Sequence, residues 1–394
     1  MDSSATRLLD FDRATDYLQS HGIDLLVGSG YVNYGYITGY FTHFGRDYPG
    51  PMYDGRPLVR FAGLAADRGI SPFLITYPGE TSDIRVQGSW IEDRRLWGPT
   101  YKVTGGPILY DLADDPFQPL AEAVEERGLS RGTIGLDMSE LPYAIAEQVK
   151  SALPHARLVD ASSDFRALRV IKTPVEIERL RGAIDGVIRG HAAVRENLRE
   201  DMTSLELASI VQRAVIDEYT DRYILHINVG ERGATILPPT DLPIRRGEIV
   251  TVDVCSMYKN YVGDMTRVYA FGEQDSDVLE VHAALDEVNS LLVEAVRPGV
   301  KASDLYLLGK SEMDKRGLEM ALDFVGHSLG IDVHEIPYLI PTDHTVLEPN
   351  MVVVLEVSMT RADLGRICAE ITCVVTKDGC EVLGTLPYTI THVP

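Results

Sequence analysis

The stretch from residue 249 to 272, IVTVDVCSMYKNYVGDMTRVYAFG, constrains the fold most, because two apolar, β-branched runs flank a short polar segment. The runs, 249–255 and 262–271, predict the arms of one β-hairpin with a loop longer than the tightest turns. Antiparallel pairing would let Asp253 and Asp264 face each other across the ladder at roughly 5 Å. When two carboxylates lie at that distance, the pKa of one of them is raised or a cation must lie between them. The alternative is that one of them is a solvated turn residue.

Length and composition set the broad class of the protein. A chain of 394 residues has room for two or three domains and a large core. The formal charge of -22 argues against nucleic acid or an anionic membrane as a partner. The four cysteines show no C-x-x-C spacing, which argues against a zinc knuckle or a disulfide framework. With no leader pattern and no run of about 18 apolar residues, we expect a cytoplasmic protein.

The N-terminal part alternates strand-like and helix-like stretches, which predicts an α/β domain over residues 1–165. The predicted strands are 23–27, 71–77, 108–112 and 133–137, and the predicted helices are 7–20, 116–127 and 141–153. The tyrosine-rich and glycine-rich segment 31–53 is typical of a loop that presents rings to a ligand or partner. Packing of these rings against their own domain is the alternative.

The C-terminal part, residues 166–394, begins with a helix signal. Thr173, Pro174 and Glu176 supply the N-cap, first-turn proline and N3 carboxylate of a capping box. A second capping box spans 203–206, and further helices are predicted over 278–296 and after Ser303. Long helices around an antiparallel sheet that contains the hairpin predict an α+β domain.

The residues that carry the chemistry lie in or beside apolar strand-like runs. His327, Glu356 and Glu370 join Asp253 and Asp264 to give four carboxylates and one imidazole. A carboxylate in an apolar strand is not buried without a partner, and four of them imply more charge than one divalent ion supplies. Two ions roughly 3.5–4 Å apart hold a bridging water and polarise a carbonyl, which is the apparatus of hydrolysis.

A competing motif is Gly326-His327-Ser328-Leu329-Gly330, which satisfies G-x-S-x-G, the nucleophile elbow of α/β-hydrolases. The elbow requires a helix directly after the serine. The following residues, 331–337, are too few for that helix and end in proline, so the metal hypothesis is favoured.

The order Asp253, Asp264, His327, Glu356, Glu370 resembles the pita-bread metallopeptidase family, which includes prolidase, aminopeptidase P, methionine aminopeptidase and creatinase. The contexts VDVCSMYKNYVGDMTRVY, GHSLGIDVHEIP, VVVLEV and AEITCVVTKDG carry the resemblance. It extends to RVIKTPVEIERLRGAI and to VNYGYITGY, so it covers most of the chain. The resemblance implies a pita-bread α+β C-terminal domain and a smaller creatinase-like α/β N-terminal domain.

The resemblance also implies roles for single residues. Asp253, Asp264 and Glu370 would hold or bridge two divalent ions, while His327 and Glu356 would complete one of them. Glu356 would also shuttle the proton of the attacking water. His334 would contact the substrate near the scissile bond, or else be an exposed loop histidine.

Oxygen-rich ligation with a single histidine suits manganese, iron, cobalt or zinc rather than a structural zinc site, and manganese is the first expectation. The resemblance also implies the assembly. Two chains would pair as a homodimer in which the N-terminal domain of one caps the active site of the other. Segment 31–53 is then a candidate for lining the partner's pocket.

Three departures from the family pattern concern the substrate. Leu237 or Pro238 stands where these peptidases usually carry a histidine, and His226 does not obviously replace it. Cys368 stands where prolidase and aminopeptidase P place an arginine, with Arg366 two residues earlier. The residues after Asp253 and Glu356 also lack the usual glycine and proline-glycine, reading Val254-Cys255 and Val357-Ser358.

Losing a donor to a desolvated peptide group costs roughly 1–3 kcal/mol, so the grip on a peptide is altered. We therefore expect a metal-dependent hydrolase of a C–N bond in a small amide, a cyclic compound or an unusual dipeptide. The rivals are an ordinary Xaa-Pro dipeptidase, a lyase on the same scaffold, an inactive binding module and a metal-free creatinase-type enzyme.

Overall fold

The computed structural model describes residues 7–42, 58–98, 112–216, 220–233 and 236–394, with only the backbone for 220–223. The chain divides into two compact units, Met1–Arg169 and Val170–Pro394. Among the described residues, no helix has both the length and the hydropathy needed to cross a membrane.

The first unit is an α/β unit, as the alternation in the sequence predicts. Its helices are α1 (Phe11–Ser20), α2 (Tyr31–Thr38), α3 (Thr81–Gln87), α4 (Phe117–Glu126), α5 (Tyr143–Ala152) and α6 (Ser162–Arg169). Its strands are β1 (Leu25–Gly28), β2 (Phe61–Ala65), β3 (Phe73–Thr76), β4 (Asp93–Leu96), β5 (Thr133–Leu136) and β6 (Arg157–Asp160). These strands form one sheet in the order β4-β3-β2-β1-β5-β6, in which β2 is antiparallel to β1 and β3 while β1, β5 and β6 run parallel.

The tyrosine-rich segment differs from its prediction. Residues 31–38 form α2, which ends at Gly39 in the left-handed conformation, and the rings of Tyr34, Tyr36 and Tyr40 are buried. These rings fill the core of their own unit, so they do not form a loop that lines a partner's pocket. The rest of that segment, from residue 43, lies outside the described residues, as does most of the predicted strand 108–112.

The second unit is α+β, with long helices and two sheets rather than one. Its helices are α7 (Pro174–Asn197), α8 (Ser204–Val215), α9 (Ser276–Ala295) and α10 (Ala302–Lys315). Its strands are β7 (Thr220–Val229), β8 (Ile249–Tyr258), β9 (Tyr261–Phe271), β10 (Gly326–Ser328), β11 (Glu335–Tyr338), β12 (Val352–Arg361), β13 (Gly365–Val375), β14 (Cys380–Val382) and β15 (Thr391–Val393). The strand orders are β15-β9-β8-β7 and β11-β10-β12-β13-β14.

Both predicted capping boxes are confirmed. The Thr173 hydroxyl accepts from the Glu176 N–H while the Glu176 carboxylate accepts from the Thr173 N–H, and the same reciprocal pair opens α8. Helix α10 begins at Ala302, earlier than predicted, and the Asp304 carboxylate accepts from the Lys301 N–H at 3.2 Å at its start.

The central hairpin forms, but its loop is shorter than predicted. Strand β8 continues to Tyr258 and pairs with Tyr261, so the loop is only Lys259 and Asn260, with φ of 47° and 71°. Positive φ at both central residues is the signature of the type I′ turn, whose twist matches a hairpin. The longer strands shift the register by two residues relative to the sequence prediction.

Alternation along the hairpin separates a helix side from a polar side. On the helix side, a Cβ added to Gly263 would lie 2.7 Å from the backbone of Ala183 in α7, so only glycine allows this close approach. The side chains of Asp253 and Asp264 point to the other side, because successive strand residues face opposite sides of a sheet. The helix therefore covers one face and leaves the other for chemistry.

The second hairpin, β12–β13, follows the same rule. Val357, Ile367 and Ile371 belong to the core packed with α9. Glu356, Cys368 and Glu370 alternate with them and point away from that core.

The two hairpins are joined along β9 and β13. Thr372 Oγ1 donates to the Asp264 carbonyl at 3.1 Å, and Arg267 Nη1 donates to the Glu370 carbonyl at 2.6 Å. These bonds bring the two polar faces into one centre.

Candidate metal centre

The first hairpin places its two aspartates as diagonal neighbours. Asp253 pairs with Thr266, and Asp264 pairs with Cys255, so the aspartates are not directly opposite each other as expected. Because the shift is two residues, both carboxylates keep the same face of the sheet.

The second hairpin places its two glutamates directly opposite each other. Glu356 pairs with Glu370 in the β12–β13 ladder. Arg366 Nη2 donates to Glu356 Oε1 at 2.5 Å, and Thr266 Oγ1 donates to Glu370 Oε2 at 2.8 Å. The second pair therefore has a cation beside one member and a neutral donor on the other.

His327 reaches the carboxylates from β10. Its Nε2 lies 4.0 Å from Asp264 Oδ2 and 4.0 Å from Glu370 Oε1, while its Nδ1 lies 2.9 Å from the Ser328 carbonyl. A carbonyl only accepts, so Nδ1 carries the proton and Nε2 presents its lone pair to the carboxylates. This tautomer is the one that binds a metal through Nε2.

Two overlapping sets of donor atoms have the spacing of metal ligands. The first is Asp264, His327 and Glu370, and the second is Asp253, Cys255 and Asp264, each with its donor atoms within 4.8 Å of one another. Asp264 belongs to both sets, as a ligand that bridges two ions does. The residues present therefore fit two adjacent divalent ions.

The electrostatics of the centre also call for cations. Burial, followed by the charge of Asp253, raises the pKa of Asp264 well above its usual range. Burial and the charge of Asp264 do the same to the pKa of Glu370. Burial raises the pKa of Glu356 against the lowering influence of Arg366.

The pKa values of Asp253 and His327 are lowered instead. Burial opposes ionisation of Asp253, but the hydrogen bond and charge of His226 hold its pKa below the usual value. Burial and the neighbouring His334 lower the pKa of His327 to about 3, so its imidazole is neutral at pH 7. A neutral imidazole among carboxylates is in the protonation state that a divalent ion binds.

His334 lies at the edge of the centre. Its ring centroid is 4.3 Å from that of His327, at an interplanar angle of 73°. It is the exposed member of the pair, whereas His327 is buried. Exposure and proximity to the ligands suit a side chain that meets a substrate arriving from solvent.

Two residues at the centre were not assigned a role from sequence. His226 on β7 pairs with Asp253, and its Nδ1 lies 3.1 Å from Asp253 Oδ2. Arg366 lies on the same face of β13 as Glu370, four residues before it, and its long side chain reaches Glu356. In the sequence, the signal for Arg366 is its even-numbered spacing from Glu370, which puts both side chains on one face of the strand. The signal for His226 depends on how β7 pairs with β8, because His226 lies opposite Asp253 on the neighbouring strand.

The serine-nucleophile alternative is not supported by the fold. Ser328 is fully buried, 3.4 Å from the Lys172 ammonium, and strand β11 rather than a helix follows it. The elbow requires an exposed serine on a strand-to-helix turn.

One departure from the family pattern, Leu237, lies beside the strand that carries His226. Leu237 is half-buried, and its carbonyl accepts from the Ile227 N–H at 3.3 Å, next to His226. A leucine side chain offers no hydrogen bond at this position.

Comparisons with known proteins agree with this geometry. Residues 178–377 match the model of metallopeptidase family M24, and residues 11–171 match that of the creatinase/prolidase N-terminal domain. The chain is similar to the protein named "Probable dipeptidase PepE" of Mycobacterium tuberculosis, with 31% identity over 86% of this chain and 96% of that protein. It is also similar to the "Ectoine hydrolase" of Halomonas elongata, with 27% identity over 75% of this chain and 79% of that protein.

The fold has close structural relatives as well. The crystal structure of dipeptidase PepE from Mycobacterium ulcerans superposes with a TM-score of 0.80 and 24% identity, over 100% of this chain and 99% of the other. The creatinase-like N-terminal domain and the pita-bread C-terminal domain expected from the sequence are thus confirmed.

Proposed function

Because the chain belongs to metallopeptidase family M24, we propose that it hydrolyses a C–N bond in a small substrate with two divalent ions bound between its hairpins. The enzyme is a metal-dependent hydrolase of the metallopeptidase type. The observation that carries the proposal is Asp264, whose carboxylate belongs to two ligand sets, each within 4.8 Å. We assign the catalysis to residues 166–394 and the capping role of the family to residues 1–165.

The proposed ligands divide between the hairpins. Asp253 and Asp264 would hold one ion, and Asp264, Glu370, His327 and Glu356 would hold the second. When bound, such ions lower the pKa of a water and polarise a carbonyl. Manganese stays a prediction, as do its alternatives.

The chain's own residues would then handle the proton and the substrate. Glu356 accepts the proton of the attacking water, because its carboxylate is partly exposed, at 13%, and its pKa is raised by burial. A raised pKa makes this carboxylate a stronger proton acceptor. Arg366 fixes the orientation of that carboxylate by its hydrogen bond.

His334 is proposed to bind the substrate beside the scissile bond. Burial keeps the pKa of His334 below its usual value, so its imidazole is neutral at pH 7 and its N–H donates to a substrate oxygen. Since it binds no metal, His334→Ala lowers kcat/KM and leaves the metal content unchanged.

The substrate proposal rests on Leu237. An apolar side chain in place of the family histidine weakens the hold on a peptide carbonyl or carboxylate by roughly 1–3 kcal/mol. We therefore propose a small amide, a cyclic C–N compound or an unusual dipeptide. The similarity to a protein named as an ectoine hydrolase, and not as a dipeptidase, supports this class.

The experiment is a substrate panel with the full-length enzyme, loaded separately with manganese, zinc and cobalt. The panel holds Xaa-Pro dipeptides, other dipeptides and small cyclic amides, and the products are identified by mass in water enriched in oxygen-18. We expect turnover of a small amide or cyclic compound with one labelled oxygen in the product. Elimination without label uptake would indicate the lyase alternative.

A second candidate is an ordinary Xaa-Pro dipeptidase, which the 31% identity to a protein named as a dipeptidase favours. Turnover of Xaa-Pro dipeptides at ordinary rates, roughly 1–1000 per second, would decide for it. We also propose that the enzyme is cytoplasmic and forms a homodimer. Sedimentation of the purified chain would test the dimer.

A further inference from the structure

Each hairpin carries one cysteine on its polar side, and the proposed reaction uses neither. Cys255 lies on β8 two residues after Asp253, and Cys368 lies on β13 two residues before Glu370. Both are buried. We propose that Cys255 is a sulfur ligand of the ion held by Asp253 and Asp264, an inference that rests on the proposed metal centre.

The position of Cys255 follows from the register. Cys255 pairs directly with Asp264, and the two-residue spacing puts it on the same face as Asp253. Its Sγ lies 3.1 Å from Asp264 Oδ1 and 4.0 Å from Asp253 Oδ1. The side chain is only 4% exposed, so water does not compete for the sulfur.

These distances suit one shared ion. With a Zn–S bond of about 2.3 Å and a Zn–O bond of about 2.1 Å, sulfur and oxygen lie roughly 3.1 Å apart at 90° and roughly 3.6 Å apart at the tetrahedral angle. The observed distances from Sγ to the two aspartates, 3.1 and 4.0 Å, bracket these values. Ligation replaces the S–H proton with the ion, and the proton leaves to solvent.

Cys368 differs in its surroundings and serves as the internal comparison. Its Sγ lies 3.7 Å from Glu356 Oε1, but the Arg366 guanidinium already binds that same oxygen. The Glu356 oxygen that lies next to the Cys368 sulfur is therefore already paired with a cation, and an ion bound by Glu356 would use its other oxygen. Within the described residues, the donor sets with ligand spacing include Cys255 and not Cys368.

A sulfur ligand changes the class of metal. Thiolates select borderline and soft ions such as zinc, cobalt or iron over manganese or magnesium, which prefer oxygen. The ion on the first hairpin is therefore expected to be zinc, cobalt or iron, not manganese. The second hairpin keeps the oxygen and imidazole ligands Glu356, Glu370 and His327.

Cobalt is the probe that tests this, because a thiolate bound to Co²⁺ produces an intense near-ultraviolet charge-transfer band that oxygen and nitrogen ligands do not. Wild type, Cys255→Ser and Cys368→Ser are stripped with a chelator and titrated with Co²⁺ as full-length proteins. We expect the band in wild type and in Cys368→Ser, and its loss in Cys255→Ser with the weaker visible cobalt bands retained. Binding competition should also show a 10-fold or greater fall in the preference of Cys255→Ser for zinc over manganese.

The outcomes separate this inference from the proposed function. Visible cobalt bands without the charge-transfer band in wild type would overturn the sulfur ligand and leave the metal centre standing. Loss of the band only in Cys368→Ser would assign the sulfur to the other hairpin and likewise overturn the inference. Failure of wild type to bind any cobalt would refute the metal centre itself.

A measurement on wild type alone covers the case in which Cys255→Ser does not fold. X-ray absorption at the zinc edge of the reconstituted enzyme should require a sulfur at about 2.3 Å. A spectrum that nitrogen and oxygen ligands fit completely contradicts the inference.

Discussion

The two hairpins carry the same polar inventory in different arrangements. Each presents two carboxylates and one cysteine on the side away from its covering helix. In β12–β13 the glutamates pair directly, and Arg366 neutralises one of them. In β8–β9 the aspartates are diagonal, and the partners are the imidazole of His226 and the thiol of Cys255.

The two hairpins differ in the groups that balance the negative charge of their carboxylates. The second hairpin contains a permanent cation, whereas the first has neutral or titratable partners, so its two charges depend more on added metal. Burial and Asp253 accordingly raise the pKa of Asp264 well above its usual range, while His226 holds the pKa of Asp253 below it. The first hairpin is thus the one whose stability and activity should respond most to metal.

The largest effect is expected from Asp264→Asn. The change keeps the shape but removes the carboxylate shared by both ligand sets, so bound metal falls and kcat/KM drops by about 1000-fold, the equivalent of about 4 kcal/mol. Metal analysis by mass spectrometry and steady-state kinetics measure the two losses, and circular dichroism checks the fold.

The matched control is Asp378→Asn, an exposed aspartate of the same unit. It should retain metal and activity. Undiminished turnover of Asp264→Asn would remove Asp264 from the centre and end the claim that the first hairpin is the one that depends on metal.

Arg366→Met tests the permanent cation of the second hairpin. Removing one member of a buried pair leaves Glu356 uncompensated and costs about 3–5 kcal/mol of unfolding free energy. Urea unfolding of the metal-free protein should show this loss, and added divalent ions should reduce it because they compensate Glu356. The double variant Arg366→Met/Glu356→Gln should recover most of the stability. An unchanged urea midpoint in the single variant would show that the pair contributes nothing.

Glu176→Gln tests how the first hairpin is anchored to α7. Tyr261, the first residue of β9, donates its hydroxyl to Glu176 Oε1 at 2.9 Å. Burial raises the pKa of Glu176 from 4.5 to about 7. A carboxyl with a raised folded-state pKa binds its proton more tightly when folded, so stability falls as pH rises from 4.5 through 7, by about 3 kcal/mol in total. Glu176→Gln should lack this fall, measured as urea midpoints at several pH values.

The corresponding residue of the other capping box provides the control. Glu206 is exposed, and the Thr203 backbone N–H that it accepts lowers its pKa, so its contribution has the opposite sign and is lost as pH falls. The metal ligands titrate alike in wild type, Glu176→Gln and the control variant Glu206→Gln, so differences between these proteins isolate each glutamate. Identical pH profiles for wild type and Glu176→Gln would contradict the buried anchor.

The sequence was sufficient for the two capping boxes and for the choice of candidate ligands, because both depend on local patterns. Capping boxes are read within four residues, and a carboxylate inside an apolar strand such as the one around Glu356 is conspicuous wherever the strand lies. The carboxylates among the five proposed ligands were chosen in this way; the structure places four of the five ligands in the two ligand sets and pairs Glu356 directly with Glu370.

Register and composition were harder to interpret. The polar residues from Ser256 to Asn260 look like a loop, but only Lys259 and Asn260 turn, because Ser256 bonds to the Ala183 carbonyl on α7 and stays in the strand. The tyrosines of α2 resemble a loop in composition, yet burial of their rings outweighs that local signal. Tertiary contacts decided both cases, and a single sequence does not display them.

The smallest effect is expected from His226→Ala, which removes the imidazole beside Asp253. Groups that orient a metal ligand typically contribute 10- to 100-fold in metal affinity, equivalent to about 1.4–2.7 kcal/mol. Competition with a chelator should show this weakening for one of the two ions, the one held by the first hairpin, while the other ion binds as in wild type. His344→Ala, an exposed histidine of the same unit that bonds to Ser303, is the control and should bind both ions normally. Equally weakened binding of both ions would mean that the two hairpins do not bind their ions independently. Unchanged binding of both ions would mean that His226 does not orient Asp253 as a metal ligand.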